Sequence, residues 1–213
     1  MRLVLASNNA KKLAELRTLV CGLGLDIVAQ AELGIPEAEE PYHSFVENAL
    51  AKARQAARAS RCAAMADDSG LCVAALGGAP GVVSAHFAEL TTPDLAGMAR
   101  EVRRGLQDQT NNELLLRRMQ DVSDRRAHFI STLVALRHAD DPEPLIACGR
   151  WQGKLLHQHR GSAGFGYDPL MFIPALDATV AELSTEIKNA HSHRALAAAQ
   201  MVALMREVWG LGP

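Results

Sequence analysis

The chain has 213 residues, 48% of them hydrophobic, and a formal net charge of −2. That length and apolar content suit one substantial core or two small lobes. Its lysines and arginines are scattered rather than gathered into a stripe for a nucleic-acid backbone, and no stretch approaches the ~18 apolar residues of a membrane span. Nucleic-acid polymers and membranes are therefore not expected as partners, and a cytoplasmic location is. Cys21, Cys62, Cys72 and Cys148 lack C-x-x-C spacing and sit beside Ala, Val or Leu, which predicts buried free thiols in a reducing compartment.

In chain order, Leu3 to Ala6 reads as a buried strand. Lys11 to Leu23 follows as a helix, with Leu13, Leu16, Leu19, Val20 and Leu23 at helical spacing. Gly22 and Gly24 end it, and Asp26 to Gln30 predicts a second strand. Such strand-helix-strand units predict an α/β sheet. Residues 31–44, with two prolines and no apolar period, predict a surface loop. Ser44 and Glu47 form a candidate capping box for an Ala-rich helix from Phe45 to Ser60, with Phe45, Ala49, Ala53 and Ala56 on its apolar face. A short strand, "AAMA", then meets "DDSG", read as a turn. The segment from about Thr92 to Met119 predicts a polar helix with Leu114, Leu115 and Met119 inward. "AHFISTLVALRH" predicts a strand and "EPLIACGRWQGKLL" a strand pair, antiparallel additions to the sheet. A final helix from about Arg194 to Trp209 places Leu196, Ala199, Val202 and Met205 on one face. No repeat, linker or low-complexity tract divides residues 1–213.

Several of these stretches carry chemistry under one reading and ordinary structure under another. "SNNAKK" lies where a strand ends and a helix begins. There unpaired N–H groups and the helix dipole attract an anion, and Lys12 adds a formal charge. A capped helix start with a solvated lysine pair accounts equally for those residues. Asp67 and Asp68 follow an apolar strand; they fit turn chemistry or, joined by Glu39 or Glu40, a magnesium site of oxygen ligands. Because strand residues alternate, at most one of the two aspartates faces a given cleft unless the turn begins between them. "GSAGFGYDP" is a plain turn or a loop whose aromatics stack on a base. "EIKNAHSHR" gathers Lys188, His191, His193 and Arg194, suited to phosphate or a carbonyl oxygen. His191 with His193, or His157 with His159, makes a weaker transition-metal alternative. No G-x-G-x-x-G or G-x-S-x-G occurs.

Taken together, S-x-N-x-x-K at Ser7, Asn9 and Lys12, "EE" at Glu39 and Glu40, "FVENALAKA", "ADDSGL", "LGGAPGVVSAHF", "GFGYDP" and K-x-x-x-x-HR resemble the inosine triphosphate pyrophosphatase family from about residue 3 to residue 205. The resemblance implies an α/β fold of two lobes around a long mixed sheet flanked by helices, with no separable linker, and a homodimer. It implies magnesium-dependent hydrolysis of ITP, dITP and XTP to the monophosphate and pyrophosphate, cleansing the nucleotide pool. By the same resemblance Ser7, Asn8, Asn9, Ala10, Lys11 and Lys12 hold the triphosphate, with Lys12 the functional charge and Lys11 facing solvent. Asp68 is the general base and a Mg²⁺ ligand, and Glu40 is the other metal carboxylate. Ser69 contacts substrate; Phe165, Gly166, Tyr167 and Asp168 enclose the base; Lys188 binds substrate; His193 and Arg194 approach the base.

The chain departs from the family pattern at Asn8 and Ala163, where glycine is common, but loses no charged group thereby. Asn tolerates unusual backbone angles better than most residues, so the turn at Asn8 is expected to survive. Two rivals remain on sequence grounds: a phosphatase that releases orthophosphate, and a nucleotide-binding regulatory module without turnover.

Overall fold

The computed structural model describes residues 1–91 and 97–212. Seven strands form one mixed sheet in the order β2-β1-β3-β4-β5-β6-β7. Strand β1 (Arg2–Leu5) and helix α1 (Ala10–Val20) are followed by β2 (Asp26–Ala29), α2 (Phe45–Ser60) and β3 (Ala63–Val73). Next come α3 (Arg100–Arg118), β4 (Arg126–Leu136), β5 (Leu145–Leu155), β6 (Met171–Ile173) and β7 (Ala178–Thr179). Helices α4 (Thr185–His191) and α5 (His193–Trp209) complete the order. β1 pairs in parallel with β2 and with β3, whereas β5–β6 and β6–β7 are antiparallel. The α/β class with a mixed, helix-flanked sheet is thus what the chain adopts.

The chain divides into two compact units. The first gathers Met1–Ser69, Ile130–Arg150 and Asn189–Pro213, and the second Gly70–Phe129 and Trp151–Lys188. In the first, strand alternation sorts side chains between two helical layers. Leu3, Leu5, Ala63 and Met65 pack with Leu16 and Val20 of α1 and with Ala197, Ala198, Met201 and Met205 of α5. Val4, Ala64 and Ala66 pack instead with Ala49, Ala53, Ala56 and Ala57 of α2. In the second unit, Leu71 and Val73 join Leu115 and Met119 of α3, with Phe129, Trp151, Tyr167 and Met171.

Four expectations change. The strand at "AAMA" does not turn at "DDSG" but runs on to Val73, because distant partners satisfy the two aspartates in place of a turn. "EPLIACGRWQGKLL" is the single strand β5 rather than a pair. Its glycines mark close approach: a Cβ on Gly149 would lie 2.0 Å from the carbonyl oxygen of His193. On α5, Leu196 and Ala199 are exposed, and Arg194, Ala197, Ala198, Met201 and Met205 are buried. An almost uniformly apolar, Ala-rich helix gives periodicity little to choose between. None of the four cysteines is buried as expected, Cys21 being exposed and Cys62, Cys72 and Cys148 half-buried, although all four are free thiols. The predicted start of the third helix, residues 92–96, lies outside the described residues; α3 begins at Arg100.

Gly149→Ala tests the contact between β5 and α5. The added methyl meets backbone that cannot rotate away, so a loss of about 1–3 kcal/mol or more in urea unfolding is expected, the range for overpacking. An unchanged midpoint would contradict it.

Candidate functional site

The alternation that sorts the core also separates the two aspartates. Asp67 continues the series Ala63 and Met65 toward α1 and α5, and Asp68 continues Ala64 and Ala66 toward α2. Each therefore meets a different set of partners.

Asp67 is 2% exposed. Its Oδ2 lies 3.0 Å from Lys12 Nζ and 3.5 Å from Arg194 Nη2. Ser131 Oγ donates to Oδ1 at 2.5 Å, and Ser69 Oγ donates to Oδ2 at 2.9 Å. Burial alone would push this carboxyl up, but Lys12, Arg194 and the Ser131 hydroxyl outweigh it and hold it far below the usual carboxylate range. Arg194 is itself 1% exposed, paired with Glu15, and donates to Ser69 Oγ at 3.1 Å. The structure thus engages Arg194 with acids and a serine inside the first unit. Burial lowers the Lys12 pKa, against the opposing pull of Asp67.

Asp68 meets α2. Lys52 Nζ donates to Asp68 Oδ1 at 2.9 Å and to Glu40 Oε2 at 2.8 Å, and Asn48 Nδ2 donates to Asp68 Oδ2 at 3.4 Å. Burial pushes the Asp68 carboxyl up to about 6, against the opposing effect of Lys52. Glu40, half-exposed, is driven the other way: burial raises its pKa, but the Lys52 ammonium prevails and lowers it. Two adjacent residues are thereby set on opposite sides of their ordinary values, one locked as an anion and one close to physiological pH. Perturbed pairs of this kind cluster at functional sites.

Lys52 and Asn48 were not assigned roles from sequence. The available signal was their spacing: two polar residues one turn apart on α2 beside an alanine face, inside "FVENALAKA". Two carboxylate oxygens, from Glu40 and Asp68, converge on one cationic point, which the Lys52 ammonium fills. Carboxylate oxygen is the donor that magnesium takes, usually from one or two side chains. Among the described residues no group of three or more His, Cys, Asp or Glu side chains is placed to hold a metal, which leaves the histidine pairs without support as transition-metal sites.

At "SNNAKK" the structure shows a capped helix start. Asn9 Oδ1 accepts from the N–H groups of Lys11 and Lys12 at 3.1 and 3.2 Å, and Ser7 Oγ accepts from Asn9 N–H at 3.2 Å. Gln30 Nε2 donates to Asn8 Oδ1 at 3.1 Å. Ala10 opens the helix, and Lys11 is exposed as expected. His193 is buried at the first position of α5, next to its cap Ser192.

The remaining predicted residues belong to the second unit. Lys188 Nζ donates to Asp168 Oδ2 at 3.0 Å and lies 4.5 Å from the centre of the Phe165 ring. Phe165 N–H donates to the same Asp168 oxygen at 3.0 Å. Gly164 has φ of +82°, and a Cβ there would lie 2.1 Å from Asp168 Oδ2, so only glycine fits the loop. Tyr167 donates its hydroxyl to Ser84 O at 2.9 Å; that phenol is buried, so "GFGYDP" offers Phe165 rather than Tyr167 as its accessible aromatic.

The chain is similar over nearly its whole length to known proteins. The family model described as Ham1 family matches residues 3–204. A relative from Leptothrix cholodnii, named dITP/XTP pyrophosphatase, is 65% identical over 211 residues, 99% of this chain and 100% of its own. One of the same name from Burkholderia pseudomallei is 53% identical over 207 residues, 97% of this chain and 94% of its own. The solved structure of a HAM1 protein from Coxiella burnetii superposes with a TM-score of 0.85 at 38% identity, over 98% of this chain and 100% of that one. The α/β fold is thus shared with solved relatives. The chain belongs to the Ham1 family.

Proposed function

We propose that this protein hydrolyses dITP, XTP and ITP to the nucleoside monophosphate and pyrophosphate, using Mg²⁺. The observation that carries the reading is the buried Asp68 carboxylate, which shares the Lys52 ammonium with Glu40. A carboxylate so held can take a proton from a positioned water. Relatives at 65% identity that bear the name dITP/XTP pyrophosphatase support dITP and XTP as substrates.

Glu40 and Asp68 would hold the cation. When bound, Mg²⁺ offsets triphosphate charge and makes a neighbouring water more acidic. Lys12, Lys52 and Arg194 stand among Asp67, Asp68, Glu40 and Glu15, three cations among four carboxylates. A divalent cation turns that balance positive, as an anionic substrate requires.

Asp68 takes a proton from the attacking water, whose oxygen forms a bond to the α-phosphorus while the bond from that phosphorus to the α–β bridging oxygen breaks. Pyrophosphate leaves with the bond's electrons, and the proton on Asp68 passes to solvent. Lys12 stabilises the charge that moves onto the leaving group, and positioning and electrostatics supply most of the rate. In the second unit Phe165 provides a stacking face and Lys188 a donor for a 6-keto oxygen. Adenine presents an amino group there and leaves that donor unmatched.

The decisive measurement is the product formed from dITP, XTP, ITP, GTP and ATP with Mg²⁺. Pyrophosphate from the first three, with little from ATP, is expected; orthophosphate, or no turnover, overturns the reading. Lys12→Ala should lower kcat on dITP about 100-fold, the scale of losing one preorganised stabilising group, and leave binding of the free nucleoside nearly unchanged. Equal effects on both would count against the assignment of Lys12 to the triphosphate.

A further inference from the structure

Helix α3 carries a polar row, Gln107, Asp108, Asn111 and Asn112, of which the two asparagines are buried and the other two half-buried. Asn111 is 2% exposed and fully committed: its Oδ1 accepts from Ala88 N–H at 2.8 Å and from Gln107 Nε2 at 3.0 Å, and its Nδ2 donates to Ser84 O at 3.2 Å. The other two residues reach the "GFGYDP" loop. Gly166 N–H donates to Asp108 Oδ2 at 2.8 Å, and Asn112 Nδ2 donates to Gly166 O at 2.9 Å. Residues four apart on a helix present neighbouring side chains, so Asp108 and Asn112 grip both backbone polar groups of one residue. That residue has φ of +61° and lies between Phe165 and Tyr167.

Asn112 is 4% exposed, yet its Oδ1 has no hydrogen-bond partner. A buried acceptor without a partner is destabilising, and the Gly166 carbonyl it serves is only half-buried, so water can replace the bond. Measured by stability alone, Asn112 is a poor choice for its position. What it does supply is a fixed orientation of the peptide after Gly166.

We propose that Asp108 and Asn112 are positioning residues for base recognition, fixing the Gly166 peptides so that Phe165 and Asp168 are held in the conformation that binds a purine. The inference rests on the reading of Phe165 to Asp168 as the base-enclosing loop. Neither side chain touches substrate; both act through Gly166.

The test compares Asn112→Leu, Asp108→Leu and Asp108→Asn with wild type, using dITP and dATP. Each leucine variant should raise KM for dITP about tenfold, the equivalent of one hydrogen bond to a positioned group, with a much smaller change in kcat and a narrowed preference for dITP over dATP. Asp108→Asn keeps an acceptor for Gly166 N–H and should stay within about twofold of wild type. The thermal midpoint of Asn112→Leu should not fall below that of wild type, whereas Asn111→Leu, which strands several buried partners, should lower it. A KM within twofold of wild type in both leucine variants overturns the proposal. So does a lowered midpoint in Asn112→Leu, which would mark an ordinary structural role. Wild-type protein that releases no pyrophosphate from dITP would instead refute the proposed function itself, and the two failures are distinguishable.

Discussion

Replacing Asp68 with Asn is expected to reduce pyrophosphate release by about 10²–10⁴-fold, the contribution of a positioned general base, without harming the fold. The effect on stability carries the sharper sign. In the folded chain burial raises the Asp68 pKa to about 6 from an unfolded value near 3.8. Between those values the native state binds the proton more tightly than the unfolded state, so stability falls as pH rises through that window. At pH 7 the buried carboxylate is a net cost, and asparagine resembles its protonated form. Metal-free Asp68→Asn should therefore unfold at an equal or higher urea concentration than wild type at pH 7, while Lys52 keeps its contact with Glu40. A clearly lower midpoint, or near-normal turnover, would defeat the assignment.

The same substitution one residue earlier should act in the opposite direction. Asp67→Asn leaves Lys12 and Arg194 facing a neutral amide inside a buried cluster. Removing one partner of a buried ion pair costs about 3–5 kcal/mol, which is a large share of the 5–15 kcal/mol stability of a typical domain. Here the folded pKa is depressed, so the carboxylate's contribution is present above the unfolded value of about 3.8 and fades as pH falls below it toward the folded value. Wild type and Asp67→Asn should differ most near neutrality and converge in acid. Equal stability of the two proteins at pH 7 in urea titration would show that the ion cluster contributes nothing.

This contrast explains what could and could not be read from sequence. The β1-turn-α1 segment was legible because its polar residues act locally: Asn9 caps the helix that begins one residue later. The Ser44 cap was legible for the same reason, although Glu47 answers the Ser44 hydroxyl rather than its backbone N–H. "DDSG" was misread as a turn because local rules give Asp, Ser and Gly that preference, whereas its real partners are Lys12, Lys52, Ser131 and Arg194, as many as 127 positions away along the chain. Alternation did foretell that the two aspartates would part company, but not which lysine each would meet. The segment of β5 was read as a strand pair; the roles of Gly149 and Gly153 lie in the α5 backbone and in Phe172, which no local pattern records. The polar row on α3 was invisible for a further reason, since buried and solvated asparagines look alike until their partners are known.

The first unit is assembled from three stretches of chain, and the last of them brings Arg194 and the α5 side chains Ala197, Ala198, Met201 and Met205. During synthesis on the ribosome, Asp67 and Glu15 emerge long before the guanidinium that pairs with both. Until α5 follows, the layer beneath β1 and β3 lacks its cover and the acids lack a counter-charge. The nascent chain therefore cannot complete this ion cluster until its last helix has emerged.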